Sequence, residues 1–130
     1  MIALAGDDRD GSKTRDWEVE NPELERIIRS IADLDGNRFT EISVTEYEPF
    51  RYLSVAGGPD LYLVTGESVD GEILQLTEPD AGSEQIELVC GGQMGLFERS
   101  SLVTQDQAIG AVSEFLRGFP DGLVDTWSVE

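Results

Sequence analysis

The stretch from Phe39 to Cys90, FTEISVTEYEPFRYLSVAGGPDLYLVTGESVDGEILQLTEPDAGSEQIELVC, decides how this chain folds. Ile42 and Val44 alternate with Glu41, Ser43 and Thr45, and the same alternation returns at Leu74 and Leu76 and at Ile86 and Leu88. An apolar residue at every second position is the pattern of a strand with one buried face. Turn chemistry interrupts it at Glu48-Pro49, Gly57-Gly58-Pro59-Asp60, Asp70-Gly71 and Pro79-Asp80-Ala81-Gly82. The stretch is therefore expected to be a meander of about five strands, and connections this short join antiparallel neighbours.

On both sides of the meander the period changes. Upstream, Thr14 to Glu20 alternates through Trp17 and Val19 as a strand, and Asn21-Pro22 offers a cap and a first-turn proline. A helix is expected from there to about Leu34, with Leu24, Ile27, Ile28 and Ile31 as one apolar stripe. Glu23 and Glu25 suit its positive end, Glu25 is within reach of Arg29, and Gly36 marks its stop. Downstream, Thr104 and Gln107 have the spacing of a reciprocal cap, followed by the stripe Ala108, Ala111, Val112, Phe115 and Leu116. Gly118 and Pro120 close that helix, and Leu123 to Val129 reads as a final strand anchored by Trp127.

This order implies an α+β fold, a mostly antiparallel sheet of about five to seven strands with two helices packed on one face. Residues 1–13 show no periodicity and are expected to be a flexible N-terminal tail, leaving residues 14–130 as one domain. The other face of the sheet, where Glu, Ser, Thr and Gln fall, is left to solvent or a partner.

Charge narrows the function. The 130 residues hold 27 Asp plus Glu against 9 Lys plus Arg, a formal net charge of -18. With Lys13 as the single lysine, the chain lacks the basic surface that neutralises phosphates, so nucleic-acid binding is not expected. No run approaches the roughly 18 apolar residues of a membrane span. The opening MIALAGDDRDG has neither the basic start nor the long apolar stretch of a secretion signal, and the expected location is cytoplasmic.

Catalytic chemistry is poorly supplied. There is no histidine, which removes histidine-based triads and histidine-ligated zinc. Cys90, the one cysteine, ends an apolar strand and reads as a small buried hydrophobe. DDRDG at 7–11 and DLDGN at 33–37 lack the ligand alternation and closing glutamate of a calcium loop, and the glycine pairs are not followed by the Lys-Ser/Thr of a phosphate loop. The expectation is a non-enzyme without cofactor or metal.

Acidic residues gather at or beside turns: Glu46 and Glu48, then Glu67, Asp70 and Glu72, then Glu78, Asp80 and Glu84. Such a surface attracts a basic partner by long-range steering and offers carboxylates to Arg and Lys. Glu46, Glu48, Asp70, Glu72, Glu78, Asp80 and Glu84 are the expected contacts.

The segment GGQMGLFERSSLVTQDQAIGAVSEFLRGFPDGLVDTW, Gly91 to Trp127, resembles the immunity-protein-one family of bacterial polymorphic toxin systems. Gly91-Gly92, Phe97, Leu102-Val103, Ala108, Phe115, Gly118 and Trp127 carry the resemblance in order and spacing. Met94 departs from it, standing where members often have an aromatic residue. The matched residues are fold determinants, so no toxin-binding residue follows from them. The resemblance implies a cytoplasmic antitoxin that binds and neutralises a cognate toxin domain such as a basic nuclease or nucleic-acid deaminase; an exposed sheet edge is compatible with a monomer or a weak homodimer. The alternative is a non-catalytic acidic protein-binding or scaffold module whose charge reflects a salt-adapted organism. A carboxylate-based enzyme would need two acids facing one another in a cleft.

Overall fold

The computed structural model describes residues 2–117 and the backbone of 127–129. Its elements are β1 (Ile2–Asp10), β2 (Lys13–Glu20), α1 (Leu24–Ala32), β3 (Glu41–Tyr47), β4 (Phe50–Gly57), β5 (Tyr62–Glu67), β6 (Ile73–Leu76), β7 (Gln85–Cys90), β8 (Gln93–Glu98), α2 (Gln105–Leu116) and β9 (Trp127–Val129). Seven strands form one antiparallel sheet in the order β2-β1-β3-β4-β5-β6-β9, and β7 and β8 form a separate two-stranded ribbon. The α+β reading holds, and the stretch contains five strands, but the expected antiparallel succession runs only from β3 to β6: β7 leaves the sheet and pairs with β8 instead.

Register explains the core. Leu4 lies opposite Val44, Val44 opposite Leu53, Leu53 opposite Gly66 and Gly66 opposite Leu74, a row along one face of five adjacent strands. Ile42, Val55 and Val64 make the next row. Directly paired residues share a face, so these side chains form one apolar floor. Both helices cover it: α1 buries Ile27 and Ile31, and α2 buries Ala108, Ala111, Val112 and Phe115 in the same cluster. Thr104 Oγ1 accepts from the Gln107 N–H at 3.3 Å while Gln107 Oε1 accepts from the Thr104 N–H at 2.8 Å, the expected capping box.

Two expectations are corrected. Residues 1–13 are not a tail, because Ile2–Asp10 is an interior strand paired to β2 on one side and β3 on the other. Its alternation is hidden by the small residues Ala3, Ala5 and Gly6, and its Asp7 and Asp8 are taken up by Thr40, Arg9 and Arg38. Asn21 does not cap α1. It sits at φ 48° and exchanges hydrogen bonds with Ile2, whose N–H reaches its Oδ1 at 3.3 Å and whose carbonyl accepts its N–H at 2.7 Å. Glu23 takes the cap position without a side-chain hydrogen bond. The strand β8 has no counterpart among the expected elements: its Met94 and Leu96 are 66% and 64% exposed, so their phase carries no burial signal.

The ribbon is seated through its turn. Gly91 and Gly92 close it at φ 58° and 81°, and the Gly92 N–H donates to Thr40 Oγ1 at 2.9 Å. On β7, Leu88 lies so close to Gly57 that a Cβ there would stand 2.6 Å from it. Leu102, Val103, Ala108 and Phe115 are buried, and Phe97 is half-buried. The Gly118, Pro120 and Trp127 expectations fall on residues or side chains outside the described part.

Candidate functional site

The face of the sheet away from the helices has its own rows. Ala5, Ser43, Ser54, Thr65 and Gln75 are register partners across five strands and make a shelf of small and polar side chains. The next row toward the β3–β4 turn is Ala3, Thr45, Tyr52, Glu67 and Ile73, and beyond it Tyr47 pairs with Phe50. Phe50 and Tyr52 are two apart on one strand and so share this face, with ring centroids 6.0 Å apart and tilted by 56°. That separation is ordinary for an attractive aromatic pair.

Tyr47 and Phe50 are 50% and 48% exposed, and Ile73 and Val69 are exposed as well. Four accessible apolar side chains at one end of a sheet mark a surface suited to a protein partner. Exposed acids frame them. Glu48 sits in the β3–β4 turn, and Asp70 and Glu72 sit in the β5–β6 turn. Because β4 and β5 are antiparallel neighbours, the two turns project from the same end of the sheet. The Ser68 hydroxyl accepts the Glu72 N–H at 3.1 Å and the Ser68 carbonyl accepts the Gly71 N–H at 3.0 Å, which fixes the second turn.

Other expected contacts lie elsewhere. Glu46 is on the helix-covered face, where its Oε1 pairs with Arg51 Nε at 3.2 Å. Glu78 pairs with Arg99 at 2.9 Å. Asp80 and Glu84 are exposed, but they follow β6, which runs away from the β5–β6 turn, so they belong to the opposite end. There the Glu84 carbonyl accepts the Arg99 N–H at 2.8 Å, closing the base of the ribbon.

Of the seven residues, Glu48, Asp70 and Glu72 are brought together. Tyr47, Phe50, Tyr52 and Ile73 are not among the expected contacts, which are all acids. The signal was available in the phase of the alternation: Tyr47 is two residues beyond Thr45 and Tyr52 two before Ser54, so both fall outside the core set of Val44 and Leu53.

Two titratable groups are shifted by their surroundings. Burial and the charge of Glu41 push the Cys90 thiol up to about 11, so it stays protonated at neutral pH, as a structural cysteine does. Burial pushes the Asp7 carboxyl up, but hydrogen bonds from the Thr40 hydroxyl and N–H, from Arg9 and from the Glu41 N–H outweigh it and leave the group more acidic than usual. Among the described residues no group of His, Cys, Asp or Glu is placed to hold a metal ion, and no helix is long and apolar enough to cross a membrane. No protein-family model matches the chain, and a search of curated proteins finds no match.

Proposed function

We propose that the chain is a non-catalytic antitoxin of the immunity-protein kind, acting in the cytoplasm, that binds and neutralises a cognate toxin domain with a basic nucleic-acid-processing surface. The observation that carries this reading is the acid-framed apolar end of the sheet. Tyr47, Phe50 and Ile73 supply apolar anchors, and Glu48, Glu67, Asp70 and Glu72 supply carboxylates for the arginines and lysines with which such a toxin holds phosphate. Aromatic anchors inside a charged rim combine affinity with fast, steered association. A net charge of -18 extends that attraction beyond contact distance, so the inhibitor competes with nucleic acid by resembling its charge.

The experiment is calorimetry of the protein with the toxin domain encoded beside its gene, at about 0.05 M and 0.5 M salt, where screening differs severalfold. Tight binding is expected at low salt and weaker binding at high salt, with inhibition of the toxin at one equivalent. Phe50→Ala and Tyr47→Ala should each weaken binding by at least tenfold, the scale of a lost anchor. No binding, combined with a fold that survives only in molar salt, would move the protein to the salt-adapted scaffold reading.

A further inference from the structure

We infer that the outer edge of β8 accepts an extended basic and apolar segment of a partner protein as an added strand. This surface is separate from the acid-framed end of the sheet, because the ribbon packs at Gly57, the end of β4 far from the β3–β4 turn. The inference therefore does not rest on the toxin reading.

The ladder phase shows which backbone groups are open. β8 pairs with β7 on one side, and among the described residues no strand borders its other side. Just past the two strands, in register with Gln85 opposite Glu98, the Arg99 N–H donates to the Glu84 carbonyl at 2.8 Å. Hydrogen-bonded pairs recur at every second residue of an antiparallel ladder. Phe97, Gly95 and Gln93 therefore turn their N–H and C=O groups toward β7, and Glu98, Leu96 and Met94 turn theirs outward. Met94 and Leu96 expose their side chains as well.

The contrast with β2, an edge strand of the main sheet, is in the sequence. Lys13, Arg15, Asp16, Glu18 and Glu20 put charge along β2, the usual guard against strand addition. β8 reads QMGLFE, with one charge and neither proline nor lysine.

Charge selects the occupant. Val89 lies opposite Met94 and Glu87 opposite Leu96, so Val89, Met94 and Leu96 share a face with Glu87 and Glu98, both exposed. Leu88, next in phase, is on the other face, against Gly57. The neighbouring cations are already engaged, Arg99 by Glu78 and Arg9, which lies against Gly92, by Asp7. An incoming strand with apolar residues beside Met94 and Leu96 and lysine or arginine beside Glu98 matches this face, and its main chain completes the open ladder. A second copy would instead bring the same acids and a further net charge of -18.

The test is amide hydrogen exchange of the full chain at about 0.15 M salt with a blocked synthetic peptide, Lys-Thr-Val-Thr-Val-Thr-Lys, which can set a lysine beside Glu98 in either direction. Saturable binding is expected, slowing exchange at Met94, Leu96 and Glu98 by at least about tenfold while Gln93, Gly95 and Phe97 change little. The same peptide with methylated backbone nitrogens keeps its charge and should bind at least about tenfold more weakly. Met94→Lys/Leu96→Lys, which alters two exposed side chains, should weaken binding as much, and unchanged amide signals elsewhere would show that this variant is folded. Equal binding of the methylated peptide or by the double variant would reduce the effect to net charge and overturn the inference, as would absence of saturation. A dimer of the chain alone with the same alternate protection would give the edge to a second copy and overturn the basic segment.

Discussion

The carboxylate of Asp7 accepts the backbone N–H of Thr40 at 2.8 Å across 33 residues of sequence. Asp7 lies near the end of β1 and Thr40 just before β3, so the bond pins two adjacent strands where their register pairing has stopped. Asp7 also accepts from the Thr40 hydroxyl and, at 3.1 Å, from the Glu41 N–H. Thr40 Oγ1 in turn accepts the Gly92 N–H, so the β7–β8 ribbon is tied to the sheet through the same two residues. Asp7 is only 6% exposed; burial pushes its carboxyl up, but these donors outweigh burial and leave the group more acidic than usual.

Asp7→Ala leaves two backbone N–H groups and a hydroxyl without their acceptor in a nearly dry site. A loss of about 3 kcal/mol in unfolding free energy is expected, from costs of roughly 1–3 kcal/mol per buried unsatisfied donor with some relief by water. Urea unfolding of variant and parent measures it directly, and a difference under about 1 kcal/mol would show that the network is incidental.

The same carboxyl sets a pH dependence. Its folded-state pKa lies below the ordinary 3.8, so its contribution is fully present above 3.8 and is lost as pH falls through the lower folded value. The unfolding midpoint of the parent should therefore fall more steeply on acidification below 3.8 than that of Asp7→Asn, whose side chain does not titrate. Parallel curves from thermal melts at several acidic pH values would exclude Asp7 as a source of the acid response.

Much of this architecture is legible in the sequence where a period is long and its turn residues are unambiguous. Val44, Leu53, Val64 and Leu74 announce their face by alternation, and Thr104 with Gln107 announces a helix start. β1 is not legible, because Ala3, Ala5 and Gly6 leave Leu4 as the one bulky core residue of a strand that ends in four charged residues. Gly6 has a role that composition cannot convey: a Cβ there would stand 2.5 Å from the indole of Trp17, its partner on β2. The candidate surface was half visible. Glu48, Asp70 and Glu72 follow from turns, but Glu46 and Glu78 are withdrawn by Arg51 and Arg99, and such pairings are long-range facts.

Gly58 connects β4 to β5 at φ 88°, and a Cβ on it would stand 2.3 Å from the Leu34 carbonyl oxygen. Both the backbone conformation and a rigid backbone neighbour oppose a side chain. Gly58→Ala should cost at least about 2 kcal/mol, because left-handed strain of 1–2 kcal/mol adds to a clash that only movement of the segment after α1 can relieve. Gly71, at φ 85° with nothing within 4 Å of its would-be Cβ, bears the strain without the clash, so Gly71→Ala should lose less in the same melts.

Glu46 separates a structural role from a binding one. Arg51 is 6% exposed, its guanidinium lies 4.0 Å from the Phe115 ring centroid, and its Nη1 donates to the Phe115 carbonyl oxygen in the last turn of α2. A cation there suits the negative end of the helix dipole. Glu46 balances that buried charge through Arg51 Nε at 3.2 Å and Nη2 at 3.4 Å. Glu46→Gln keeps the shape but removes the compensating charge. It should destabilise the fold by about 2 kcal/mol, below the 3–5 kcal/mol of a fully buried pair because Glu46 is reached by solvent. If the proposed toxin partner binds, its affinity measured on the folded fraction should remain within about twofold, the size of a change that removes no contact. Glu48→Gln should do the reverse, leaving urea unfolding unchanged and weakening binding at low salt. A Glu46→Gln variant with parental stability and tenfold weaker binding would return Glu46 to the interface.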